Sequence, residues 1–524
     1  VMTTASNRTD RPPRGRRIAL GAVTGLLTAA AALGAAELTA GLLGSPQASP
    51  VVVVGDAVVD YSPAPLKEFA IAVFGIYDKV VLLAGIVAVL ALFAVAIGYA
   101  ALRRPAVGYA GLAVFAAVGV VAAFARRNVE PLAVLPVLVG VLVGAAALYL
   151  LSARAVPLLR TGSQAGQGGG MERRRFMLAG AGVLALAGAS GGIGRFLVGG
   201  SAAGASRSAV RLPTPDSPLP PLPKGVDLDV PGLTPFTTPN REFYRIDTAL
   251  TVPRVSPQDW GLRVHGLVDR PVELDFETLL RRSVGEYDIT MTCVSNQVGG
   301  ELVGNTRWLG VSLAELLREA GVQGGADQIL STSTDGWTCG TPTDVVMDGR
   351  DAILAFAMNG EPLPFEHGFP VRMVVPGLYG YVSATKWVTD IKLTRFADEQ
   401  AYWAQRGWAV KAPIKTMSRI DVPGPLERLE PGTIAVAGVA WAQHRGVEAV
   451  EVRVDEGEWS RAELAEVPDI DTWRQWIWEW EATEGRHTLE VRATDATGYT
   501  QTSERAEPIP DGASGWHSVQ VIVE

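Results

Sequence analysis

A chain of 524 residues with a net charge of −8 and a mean hydropathy of +0.20 is long enough for several domains and more apolar than a soluble protein usually is. The apolar residues are concentrated before residue 200, and beyond it the chain reads as an ordinary globular mixture with acidic side chains in excess. That globular half carries no basic stripe, which argues against nucleic acid as a partner.

Five apolar stretches, near 18–44, 80–102, 106–125, 131–151 and 176–199, are each long enough to cross a bilayer, which takes about 20 residues as helix. Residues 1–160 form a four-span membrane region, and 161–200 hold the fifth span. Arg8, Arg11, Arg14, Arg16 and Arg17 precede the first span, Arg103 and Arg104 follow the second, and Arg154 and Arg160 follow the fourth. With alternating spans all of these lie on the cytoplasmic side, whereas Arg126 and Arg127 fall on the other. Five crossings then make a multi-pass protein of the cell membrane, with everything after residue 200 on the extracytoplasmic side.

The fifth span opens on Arg173-Arg174-Arg175-Phe176-Met177, after a linker of Gly, Ser and Gln. This is similar to a twin-arginine export signal placed internally, and it also reads as a positive anchor ahead of a membrane helix. There is no histidine before His265, so the first four spans have no axial histidines for a b-type haem, and no haem is expected in this chain. Charges inside the spans are nearly absent; Glu37 lies close to the outer end of the first. An anchor or docking platform is the expectation, and a transporter is disfavoured.

Residues 201–235 are rich in Pro, Ser and Gly and read as an extended linker. From 236 the pattern becomes short strands, short helices and turns. Leu262–Gly266 alternates like a strand, Ser312 caps a helix over 313–319, and Val371–Gly377 is a buried strand running into a turn. This irregular alternation predicts an α+β domain over 236–405. Over 406–524, the runs Thr433–Trp441, Val447–Val454, Trp476–Trp480 and His487–Thr494 predict an all-β, immunoglobulin-like sandwich. Trp476, Trp478 and Trp480 share one strand face, as core residues do, with Glu479 and Glu481 on the other. The only cysteines are Cys293 and Cys339, which on count alone admit one disulfide.

Several strings in this half occur in a telling order. Phe243-Tyr244-Arg245 is followed by Met291-Thr292-Cys293-Val294-Ser295-Asn296 and by Gly304-Asn305-Thr306-Arg307-Trp308-Leu309-Gly310-Val311. Then come Met358–Pro364, Glu366-His367-Gly368-Phe369-Pro370-Val371-Arg372, Val375-Pro376-Gly377 and Lys386-Trp387. In this order they resemble the sulfite oxidase family of molybdopterin-dependent oxidoreductases, from about 236 to the end of the chain. The resemblance implies a catalytic domain over 236–405 and a dimerisation sandwich over 406–524, hence a homodimer. It implies molybdenum on molybdopterin as the cofactor, with the Cys293 thiolate as the metal ligand, a soft donor suited to that metal.

Tyr244, Arg245, Asn296, His367, Arg372, Ser383, Thr385 and Lys386 are the implied cofactor contacts, and Cys293, Arg245, Trp337 and Arg445 the implied catalytic residues. The implied reaction is two-electron oxygen-atom transfer to or from a small oxo donor or acceptor, such as sulfite or a sulfoxide. A separate electron carrier, cytochrome or quinone-linked, would exchange the electrons. The chain departs from the family pattern around the substrate: Gln297 and Val298 stand where arginines follow the cysteine motif, Trp337 stands for a tyrosine, and Arg445 is offset by one residue. Fewer cations weaken the case for a small dianion. The reading from another class is a non-catalytic, membrane-tethered sensor or scaffold that keeps the pterin-binding fold.

Overall fold

The structure is a computed structural model that describes residues 14–44, 46–63, 73–74, 78–125, 131–159, 165–199 and 201–524. It divides into two compact units, Val1–Ala202 with Thr248–Thr251, and Ala203–Asp247 with Val252–Glu524.

In the first unit the helix Arg14–Leu42 packs against Asp78–Ala101, Leu135–Ala155 and Ala165–Gly199, while Pro105–Phe124 packs on its two sequence neighbours. Small residues line these contacts and let the apolar helices approach closely. A Cβ on Gly25 would lie 1.8 Å from Ala94 O, and one on Gly194 would lie 2.4 Å from Glu37 O. Large apolar side chains face outward instead, Leu92, Leu142 and Phe196 among them. Five helices, Arg14–Leu42, Val80–Ala101, Pro105–Phe124, Leu132–Leu159 and Gly170–Leu197, are long and apolar enough to cross a membrane, matching the five stretches read from the sequence.

One helix lies outside the five stretches, and one local reading changes. Pro50–Tyr61 is a helix of 12 residues, started by a proline in its first turn and too short to span. Before it, Ser49 Oγ donates to Glu37 Oε1 at 2.5 Å, which gives the carboxylate near the end of the first helix a partner. The triplet Arg173–Arg175 is exposed within the helix Ala165–Gly199, so the stretch just ahead of it is helical and not a loose linker. Arg8, Arg11, Arg126, Arg127 and Arg160 lie outside the described residues.

Residues 201–235 also differ from the extended linker. Ser201–Ala209 is helical, and the prolines begin only at Pro213. The segment beyond is docked at its two ends: Asp216 N donates to Val284 O, Leu228 N to Gln475 Oε1, and Val226 and Phe236 are buried, while residues 220–225 between them are exposed.

The rest of the second unit is β-rich. Strands β1 (Gly261–Gly266), β2 (Val272–Asp275), β3 (Val284–Thr292), β4 (Val303–Ser312), β5 (Gln328–Ser333), β6 (Thr338–Pro342), β7 (Ile353–Met358), β8 (Glu361–Pro362), β9 (Arg372–Val374) and β10 (Val388–Thr394) form two sheets. One has the order β2-β1-β10-β5-β6, with β1 parallel to β10, and the other is β3-β4-β7-β8 with β9 paired to β7. The amphipathic helix Leu313–Ala320 is capped by Ser312 Oγ, which accepts from Glu315 N, and stopped by Gly321 at φ +70°.

Beyond residue 416 two further sheets pack face to face. One contains Met417–Val422, Gly432–Trp441, Glu463–Leu464 and Arg474–Ala482; the other contains Arg428–Leu429, Val447–Val454, Ser460–Arg461, Gly485–Asp495 and His517–Val523. Trp476 and Trp480 are buried between them with Val450, Leu489 and Val521, while Glu479 and Glu481 are exposed. Trp441 and Trp473 are buried instead in the main core with Leu262, Ile329 and Val371. The sandwich therefore shares a core with the sheets before it, and its first turns reach the site described next.

Candidate active site

Cys293 follows the last residue of β3, where β3 and β4 diverge after the pair Thr292–Val303. The turn is fixed from within: Cys293 N donates to Leu302 O at 2.9 Å, Asn296 N to Cys293 O at 3.0 Å, and Leu302 N to Asn296 Oδ1 at 2.9 Å. Asn296, 6% exposed, thus clips the loop that presents the thiol. From the sandwich side Gln443, fully buried, donates Nε2 to Thr290 O and to Thr292 Oγ1, each at 3.1 Å. Burial pushes the Cys293 thiol up, and hydrogen bonds from Ser295 pull the other way. Cys293 and Cys339 are both free thiols, so the disulfide that the count admitted is not formed.

A second cluster of the site is basic. Arg372, on β9, is 4% exposed; its Nη1 donates to His367 O at 3.2 Å and its Nε has no partner. Burial takes its pKa down to about 10, with Tyr244 opposing. Lys386 Nζ donates to Asp247 Oδ2 at 2.7 Å and to Glu366 O at 3.0 Å, and burial takes it down to about 8 against the pull of Asp247. Arg245 Nε donates to the same Asp247 oxygen at 2.9 Å.

His367 Nε2 lies 3.1 Å from Asn240 O, and burial, reinforced by Arg372 and Lys386, takes the ring down to about 3. The neutral ring then donates from Nε2 to that carbonyl, which leaves Nδ1 as an acceptor. Gly368 closes the turn at φ +109°, and a Cβ there would stand 3.0 Å from Arg372 Cβ and 3.1 Å from Lys386 Cα. Only glycine lets these two cationic side chains come from adjacent backbone.

Tyr244 joins the two halves. Its ring stacks on Phe243 at 5.2 Å, and burial first, then Cys293, push its hydroxyl well above the ordinary range, with Arg372 opposing. The hydroxyl has no hydrogen-bond partner among the described residues. Gly380 faces it, a Cβ there standing 3.7 Å from the Tyr244 hydroxyl and 3.8 Å from Thr292 O.

The remaining expected residues divide. Ser383 Oγ donates to Leu378 O and Tyr379 O at 3.0 Å and so holds its own turn, while Thr385 Oγ1 lies 2.7 Å from Ser331 Oγ and ties that segment to β5. Cys339, on β6, is fully buried beside Thr341, Thr385 and Ser331. Trp337 sits at the β5–β6 turn, half-buried against the main core. Arg445 is committed to the protein itself: it donates to Asp495 Oδ2 at 2.9 Å, Ile414 O at 2.8 Å and Thr416 Oγ1 at 3.1 Å.

Three residues escaped the sequence reading: Asp247, Gln443 and Tyr379. Tyr379 is 3% exposed, accepts from Lys415 N at 3.4 Å, and is pushed up to about 12 by burial, with Asp511 and Cys293 adding to it. Its position two residues after the Val375-Pro376-Gly377 motif was the available signal.

The arrangement brings a buried soft thiol and a buried guanidinium within electrostatic reach of one phenol, that of Tyr244. Residues 249–403 match the oxidoreductase molybdopterin binding domain. Mitochondrial sulfite oxidase of Drosophila melanogaster is 32% identical over 282 residues, 45% of this chain and 48% of that protein. An uncharacterized oxidoreductase of Bacillus subtilis (strain 168), YuiH, is 36% identical over 152 residues, 29% of this chain and 73% of that protein. Among solved structures, the sulfane dehydrogenase SoxCD from Paracoccus pantotrophus is similar with a TM-score of 0.49 and 25% identity, over 56% of this chain and 84% of that one. The chain spans about half the length of the Drosophila relative.

Proposed function

The chain belongs to the sulfite oxidase family of molybdopterin-dependent oxidoreductases, and from that premise we propose that it transfers an oxygen atom to or from a small substrate such as sulfite or a sulfoxide. The observation that carries the reading is Arg372, a guanidinium almost wholly buried, with an unpartnered Nε. An uncompensated buried cation is costly, so the site suits an anionic group such as the phosphate of the pterin cofactor. Arg372, Lys386 and Arg245 would hold that phosphate, His367 Nδ1 and the Tyr244 hydroxyl would meet the pterin, and the Cys293 thiolate would ligate the metal. When bound, the molybdenum supplies the two-electron redox change that no side chain can. The protein's own part is to fix the thiol through Asn296 and Gln443, keep His367 neutral, and exclude water from the basic cluster.

Substrate choice rests on what flanks the thiol. Gln297 Nε2 donates to Glu507 Oε2 at 3.3 Å, so a polar pair stands where the family pattern has a cation. This supports a neutral oxo compound, a sulfoxide above all, beside sulfite. In this reading the five apolar helices anchor the enzyme in the cell membrane with its site on the extracytoplasmic side, and a separate cytochrome or quinone-linked carrier exchanges its electrons. The sandwich beyond residue 416 is read as immunoglobulin-like and as the homodimer contact.

Metal analysis of the purified full chain tests the central claim. One molybdenum per protein is expected in the wild type, and Cys293→Ser should give a folded chain with no turnover. A fully active Cys293→Ser protein would overturn the assignment.

A further inference from the structure

The cofactor site contains a carboxylate as well as cations. Asp247 has a side chain only 5% exposed, and its Oδ2 receives both Lys386 Nζ at 2.7 Å and Arg245 Nε at 2.9 Å. An acid in the pocket that is to hold a phosphate should weaken binding, since like charges repel. Its presence therefore needs a reason. Counting Arg245, Lys386 and Arg372 against Asp247, with His367 neutral, leaves two positive charges. A phosphate monoester carries about −1.5 to −2 at neutral pH, which matches that remainder.

The two cations bound to Asp247 differ from the third. Lys386 is 8% exposed and, without a partner, would leave an ammonium buried and unpaired. Arg372 has no carboxylate among the described residues, and its Nε is open. An arriving anion thus meets one uncommitted cation and two that are already neutralised in part.

Resting on the cofactor reading above, we infer that Asp247 is a resident counter-anion: it positions Arg245 and Lys386 while the phosphate is absent, and gives up part of its hold on them when the phosphate binds. The fold can then form before the cofactor arrives, at the expense of some affinity for it. Asp247 is a positioning residue and touches no reacting atom.

The test uses the full chain in detergent, made in a host that cannot synthesise the pterin, with inorganic phosphate as the probe. Thermal unfolding is followed against phosphate at constant ionic strength, with chloride as the control, since a ligand of the folded state raises the melting temperature with its concentration. Asp247→Asn should melt lower than the wild type without phosphate, yet bind phosphate roughly tenfold more tightly. A residue with a merely structural role would lower the melting temperature without that gain. Asp247→Glu should restore both values to those of the wild type, and Arg372→Ala should abolish the phosphate response in every background.

If Asp247→Asn does not fold alone, refolding is repeated with phosphate present; recovery supports the inference and its absence overturns it. An Arg372-dependent response that is no tighter in Asp247→Asn overturns the role of Asp247 and leaves the cofactor reading standing. A response indifferent to Arg372 overturns both.

Discussion

The guanidinium of Arg372 lies over the indole of Trp308, 5.1 Å from the ring centroid, and donates one hydrogen bond, to His367 O. A cation over an aromatic face gains up to about 2 kcal/mol when desolvated, which offsets only part of the cost of burying it.

Arg372→Met should therefore separate folding from function. The metal-free chain should be as stable as the wild type or up to about 2 kcal/mol more stable, because a hydrophobic residue replaces a buried unpaired charge. Molybdenum content should fall at least roughly tenfold with the loss of the charge-assisted contacts to the phosphate. Melting curves of the metal-free protein and mass spectrometry of the metal check the two halves. Normal loading in the variant would mean that Arg372 holds no anion.

His367 gives the chain an acid limit. Burial, with Arg372 and Lys386 behind it, takes its pKa from 6.5 down to about 3. Below pH 6.5 the unfolded chain takes up a proton that the folded chain refuses until about pH 3, so stability is lost as pH falls through that window. Between pH 6.5 and 4.5 the loss from this one ring is roughly 2–3 kcal/mol. His517 adds a second contribution of the same sign, since burial first and Arg419 next take it down to about 4. In metal-free His367→Gln, the drop in melting temperature from pH 7 to pH 4.5 should shrink, with the part due to His517 remaining. An unchanged drop would refute the buried neutral ring.

These residues show where sequence reading reaches its limit. Cys293, His367 and Arg372 were legible because they sit in short ordered strings, and the strands around them because apolar residues alternate along half-buried sheets. Pro50–Tyr61 was not, because a run of valines favours strands and only tertiary packing makes it helical. The docked stretch after Ala209 was missed for a related reason: prolines mark an extended backbone but not the strand edge it lies against. Asp247 lies two residues beyond the Phe243-Tyr244-Arg245 string and Gln443 two beyond Trp441, but neither position tells of its distant partner. Their partners Lys386 and Thr292 lie 139 and 151 residues away in the chain, so their roles exist only in the folded site.

Arg445 is the residue on which the resemblance and the contacts diverge. Its partner Asp495 is almost fully buried; burial alone would raise that carboxyl, but bonds from Thr416, Thr497 and Arg445 bring it down to about 2. These contacts fit a clamp on the turn after Trp441. Arg445→Met should cost about 3 kcal/mol by leaving the Asp495 carboxylate unpaired. Adding Asp495→Asn should recover part of that loss, as coupled partners do in a double-mutant cycle. A raised KM with no loss of stability would instead put Arg445 on the substrate.

In the proposed topology the catalytic half has to be carried across the membrane. Arg173, Arg174 and Arg175 are exposed on the helix Ala165–Gly199, ahead of a stretch whose mean hydropathy, 1.7, is the lowest of the five candidate spans. A buried cofactor cannot readily enter a folded domain from outside, so a domain loaded in the cytoplasm must cross already folded. The four earlier spans have no such need and can insert during synthesis. Two routes would then operate on one chain, with the switch just ahead of the arginines. Because Arg175 could replace a lost neighbour, the test changes both Arg173 and Arg174 to Lys, which keeps the positive charge that orients the helix. In spheroplasts of the double variant, residues beyond 200 should become protected from added protease while the first four spans stay in the membrane. Molybdenum loading should persist, since it precedes crossing. A double variant that still displays an active, loaded domain outside would show that the triplet only sets topology.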